Sequence, residues 1–137
     1  GRAFFARAHR QLIAFARWEF DLGAPLADGS STRANLQVAA RSDTPMGRRA
    51  RQRLAAAPPL PPALAPLWGW YLRLRAQCPW SEAGRAPIDA PLISHWSNLT
   101  GIRLTPDEVG LILDLCALDR TQDAKHRAAA RQAATRR

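Results

Sequence analysis

Apolar residues recur at three- and four-residue steps over much of this chain, which predicts amphipathic helices rather than strands. Over residues 3–22, Phe4, Phe5, Ala8, Leu12, Phe15, Trp18 and Leu22 share one stripe, while Arg7, Arg10 and Arg17 fall on other faces. Gly23 and Pro25 stop this helix. Residues 24–45 hold Gly29, Ser30, Ser31, Asp43 and Pro45 and read mostly as loop, with a short helical turn near Leu36 and Val38. Thr44-Pro45 opens a further helix running to about Ala57, because Pro at the first helical position loses no needed N–H. That helix carries Arg48, Arg49, Arg51 and Arg53, and its large apolar residues are Met46 and Leu54, so it has little to bury.

Pro58-Pro59-Leu60-Pro61-Pro62 is stiff and ends any preceding helix, which places the start of a core domain there. From Ala63 to Gln77 the helical pattern is strong, with Leu64, Leu67, Trp68, Tyr71, Leu72 and Arg75 at helical steps. Pro79, Ser81 and Gly84 then predict a loop. Asp89 reads as an N-cap, with Ile88 and Ile93 at staple spacing, before a helix that buries Leu92, Ile93, Trp96 and Leu99 and stops at Gly101. Thr105-Pro106-Asp107-Glu108 is a capping box, flanked by Leu104 and Val109. The helix it opens has Val109, Ile112, Leu113 and Cys116 on one face, widened by Leu115 and Leu118. Arg120 to Arg137 is polar and rich in Ala, Arg and Gln, which favour extension of the final helix, but with no large apolar residue to anchor it the stretch is expected as a frayed or solvated tail.

Charge sharpens this division. Residues 1–57 carry ten basic and four acidic side chains, residues 58–119 four and six, and residues 120–137 six and one. The net +9 therefore sits on two flanks around a slightly acidic middle. Twenty basic residues include a single lysine, Lys125, which a GC-rich genome explains as readily as selection for guanidinium chemistry. With 137 residues there is room for one domain and its tails. No apolar run approaches the roughly 20 residues of a membrane span. The opening Gly1-Arg2-Ala3-Phe4-Phe5 soon meets Arg7, His9 and Arg10, unlike a secretory leader, so a cytoplasmic setting is expected. Without an initiator Met, the natural start is expected upstream.

Candidate chemistry is sparse. His9, His95 and His126 sit on separate segments without partners at ligand spacing, and read as helix-surface residues. Cys78 and Cys116 do not form a metal-ligand pair, and Cys116 fits a small buried thiol. Asp107 and Glu108 suit the first turn of a helix, while Asp114 and Asp119 stand five residues apart and do not share a face. No metal, no cofactor and no enzyme activity is expected. A helix-turn-helix reading of residues 89–118 fails on charge, because the second helix begins Asp107-Glu108 and carries Asp114 and Asp119.

The block from residue 60 to 119 reads Leu60-Pro61, Leu67-Trp68, Tyr71, Leu74-Arg75, Pro87-Ile88, Ile93, Trp96, Leu99, Gly101, Leu104, Glu108, Ile112, Leu115 and Asp119. It resembles the small tail assembly chaperones of long-tailed bacteriophages, over roughly sixty residues made mostly of core and cap positions. The resemblance implies a helical, non-catalytic protein that coats the tape-measure protein and helps recruit tail-tube subunits in the host cytoplasm. Trp68, Trp70, Tyr71 and Trp96 are then the candidate partner contacts, with Trp70 foremost because Trp68, Tyr71 and Leu72 already supply a buried face. Two other readings stay open. The basic flanks could bind nucleic acid non-specifically through Arg48, Arg49, Arg51, Arg53, Arg127, Arg131, Arg136 and Arg137, or the protein could be a permanent part of a virion. The expected architecture is all-α: a small helical bundle over 58–119, an N-terminal amphipathic helix and basic linker over 1–57, and basic flexible flanks ending in a tail over 120–137.

Overall fold

Ala8, Leu12, Ala16 and Phe20 repeat at four-residue intervals and form the buried stripe of the first helix, α1 (Arg2–Leu22). The stripe starts at Ala8, so Phe4 and Phe5, expected on it, stay exposed. The structure, a computed structural model, describes residues 2–26 and 28–136. After α1 the chain doubles back through a bridge between Pro25 and Ser31 into α2 (Thr32–Ala39). Ser31 caps this helix by accepting from the Ala34 N–H at 3.1 Å. A full short helix therefore replaces the single turn expected near Leu36.

Thr44 caps α3 (Pro45–Ala55), its hydroxyl accepting from the Gly47 N–H. Gly47 is required by closeness: a Cβ there would lie 2.0 Å from the Ser42 carbonyl oxygen. α2 and α3 pack on each other, and among the described residues α1 is the helix that joins them to the rest.

The proline segment leads into a 3-10 turn at Pro62–Leu64 and then α4 (Ala65–Ala76). In place of the expected loop, β1 (Trp80–Ser81) and β2 (Gly84–Arg85) form a tight antiparallel hairpin with Trp80 opposite Arg85. Asp89 caps α5 (Ala90–Thr100), accepting from the Leu92 N–H at 2.9 Å. Gly101 ends α5 with φ of 73°, a left-handed conformation that a side chain would strain. Both bonds of the capping box at Thr105 and Glu108 are present at the start of α6 (Pro106–Thr135).

One core joins α1, α4, α5 and α6. Leu12, Ala16 and Phe20 meet Leu67, Tyr71, Leu74, Ile93, Trp96, Leu111, Ile112 and Leu115. Seen down α6 at about 100° per residue, Leu111 and Cys116 bound the buried arc, which leaves Leu113 outside it. Leu99 is also outside, at 87% exposure. Successive three-residue steps drift around a helix, and two of them carry Leu99 about 120° from Ile93. His9 Nε2 lies 3.2 Å from Asp114 Oδ2, and Asp21 accepts from Gln122 Nε2 at 3.0 Å, so α1 and α6 run in the same direction. Residues 120–135, expected as a tail, continue α6, because Ala, Arg, Gln and Lys favour helix and Gln122 and His126 tie its middle to Asp21.

Candidate functional site

α4 has apolar residues on nearly every face, and the fold uses most of them. Leu67, Tyr71 and Leu74 enter the core. Trp68 wedges against α1, edge-on to Phe15 at 5.1 Å and tilted on Phe20 at 5.8 Å. Trp70 points to α5, where its ring centre lies 6.5 Å from that of Trp96, and the Arg73 guanidinium covers Trp96 at 5.7 Å. The four aromatic contacts read from the sequence thus divide. Tyr71, at 1% exposure, and Trp96, at 7%, are core residues. Trp68 and Trp70 are half-buried, with exposed Leu72 on the same helix.

Behind this aromatic layer Asp119 organises a buried polar cluster. Its carboxylate accepts from the Tyr71 hydroxyl at 2.6 Å and from both Nε and a terminal nitrogen of Arg75. Burial first, and then the charge of Asp119, push the Tyr71 phenol well above its ordinary value of 10.0, so the hydroxyl remains a donor. Burial opposes the charge on Arg75, but the hydrogen bond and charge of Asp119 outweigh it and raise the guanidinium's pKa. Next to the cluster, Arg85 stacks on the Trp80 indole at 4.4 Å and donates to the Arg75 carbonyl. Arg120 donates to the Arg85 carbonyl and Arg127 to that of Glu82, so three arginines clamp the hairpin to α4 and α6. A cavity of about 250 Å³ lies beneath the hairpin, lined by Tyr71, Arg75, Arg85, Asp119 and both cysteines among others. Both thiols are free and buried, and burial followed by the neighbouring Cys116 pushes the Cys78 thiol up, which disfavours a reactive thiolate. Sequence reasoning missed this cluster, although Asp119 falls near the middle of the arc bounded by Leu111 and Cys116.

The arginines read as candidate nucleic-acid contacts are carried on α3 and on the end of the chain from α6 onward, and among the described residues these two helices make no close backbone contact. Arg48, Arg49 and Arg53 project from α3 into solvent. Arg51 instead donates to the carbonyls of Ala40 and Ser42 and fastens the turn before its own helix. Arg127 serves the hairpin and lies 3.6 Å from Asp123. Arg131 is exposed near the end of α6, Arg136 is exposed just after it, and Arg137 lies outside the described residues.

Between α2 and α3 runs an open groove of about 700 Å³, whose walls include Leu26, Leu36, Val38 and Met46 with Arg49 and Arg53. No group of three or more His, Cys, Asp or Glu side chains that could hold a metal occurs among the described residues. No helix among them is long and apolar enough to cross a membrane.

No curated protein and no solved structure matches the chain. A family model described as phage tail assembly chaperone matches residues 45–121, from the first residue of α3 to well inside α6. That span covers more than half of the sequence and holds the whole of α3, α4, the hairpin and α5, together with the Tyr71–Arg75–Asp119 cluster. The chain therefore belongs to the phage tail assembly chaperone family.

Proposed function

We propose that this protein acts without catalysis, by binding a tape-measure or tail-tube protein in the host cytoplasm and holding it until the tail tube forms. The family match over residues 45–121 carries this reading. The chemistry of the polar cluster supports it. Asp119 is engaged by Tyr71 and Arg75, while the phenol and the Cys78 thiol are held in their protonated forms, so these groups serve packing. Apolar residues left on the surface supply the means of binding. The half-buried Trp70 beside exposed Leu72 is an anchor of the kind that interface hot spots use.

The test is co-expression with the tape-measure and tail-tube proteins of the same phage, followed by purification at low and at moderate salt. Retention of either tail protein at moderate salt is the expected result. Nucleic acid held at low salt and shed steeply as salt rises, with no tail protein retained, would replace this reading with one based on the basic segments.

A further inference from the structure

We infer that the groove between α2 and α3 receives an acidic amphipathic helix of the partner protein; this rests on the tail assembly reading and adds to it a second docking surface, separate from Trp70 and Leu72 on α4. α2 is a helix with no buried residue, although it carries Leu36 and Val38. Among the described residues its helix partners are α3, itself short, and α1. Three large apolar side chains are left open around the same groove: Met46 at 71% exposure, Val38 at 63% and Leu26 at 39%. A helix formed around an uncovered apolar strip is completed by another apolar strip, as in helix-in-groove recognition.

Charge selects the occupant. Residues 32–55 hold six arginines against one carboxylate, Asp43. Arg33 pairs with Glu19 at 2.8 Å, and Arg51 is spent on the Ala40 and Ser42 carbonyls. Arg49 and Arg53, on the groove wall, make no hydrogen bond or ion pair among the described residues. An incoming helix with Leu-like residues on one face and Asp or Glu along its edges satisfies floor and rim together. A second copy docking groove to groove meets like charge at the rim. A phosphate backbone suits the arginines but leaves Leu26, Val38 and Met46 exposed. The caps at Ser31 and Thr44, with the Arg51 tie, hold the two helices in place before anything binds, which lowers the ordering cost of docking.

The test uses the full chain and a fluorescein-labelled peptide of about five helical turns, with Leu on one face and Glu along its edges. Companion probes are the same peptide with Lys in place of Glu, and a labelled double-stranded DNA of similar length. Fluorescence anisotropy is expected to show binding of the Glu peptide that weakens about tenfold or more in Arg49→Glu/Arg53→Glu and in Met46→Asp. All three positions are exposed, and circular dichroism checks that helix content is kept. Equal binding of the Lys peptide, unchanged affinity in both variants, or tighter binding of DNA that the double variant abolishes would each overturn the inference. Co-purification with the tail proteins separates the two levels. Loss of the tail protein from the double variant alone supports the groove. Equal retention by wild type and variant overturns the groove and keeps the tail assembly reading, whereas no retention by wild type overturns that reading itself.

Discussion

Asp119 accepts the Tyr71 hydroxyl at 2.6 Å across the contact between α4 and α6, joining residues 48 positions apart in the chain. The same carboxylate holds Arg75 one helical turn further along α4. Removing it in Asp119→Ala leaves a buried hydroxyl and a partly buried guanidinium without their acceptor. Arg75 keeps some access to water, so the expected loss is roughly 2–3 kcal/mol. Urea denaturation of the variant checks this, and a loss below about 0.5 kcal/mol would show that the cluster contributes little to folding.

Stability is expected to fall as the solution becomes alkaline. The folded state holds the protons of Cys78 and Tyr71 above their ordinary values of 9.0 and 10.0, whereas the unfolded chain releases them near those values. Above pH 9 the folded state therefore binds more protons than the unfolded state, and the free energy of unfolding declines with pH. The contribution is fully present below the ordinary values. A melting temperature that stays constant from pH 8 to pH 11 would contradict it.

Gly47→Ala is expected to loosen α2 and α3 while leaving the main core intact, because the added methyl collides with the Ser42 carbonyl. Hydrogen exchange should show lost protection over residues 32–55 and retained protection in α4 and α6. Uniform protection across both regions would mean that the turn accommodates the methyl.

Thr105→Ala removes half of the capping box at the start of α6 and is expected to cost about 1 kcal/mol. Thermal unfolding measures it, and an unchanged transition would mean that packing along α6 makes the cap redundant.

Trp70→Ala is expected to weaken binding of the tail partner more than it weakens the fold, because the ring is half-buried against Trp96 rather than enclosed. Tyr71→Ala serves as the contrast. It opens a core position and should cost about 3–5 kcal/mol of stability. Comparable loss of stability in the two variants would place Trp70 in the core.

Local signals in the sequence determined the helix boundaries where capping chemistry is explicit. Asp89 with Gly101 and Thr105 with Glu108 satisfy backbone groups a few residues away, so neighbours in the chain suffice to place α5 and the start of α6. The run of core and cap positions from Leu60 to Asp119 was likewise enough to point to the tail assembly chaperones. Which faces those helices bury was decided by tertiary structure. Leu99 and Leu113 fit an apolar pattern yet face solvent, while Asp119 and Gln122 lie inside, because the partners across α6 are Tyr71, Arg75 and Asp21. The groove between α2 and α3 was out of reach for the same reason. Val38 and Met46 lie in separate segments whose juxtaposition depends on a glycine at 47, the Ser42 turn and the Arg51 tie. Caps act over one helical turn and are written in adjacent letters, whereas burial and grooves depend on what distant segments bring alongside.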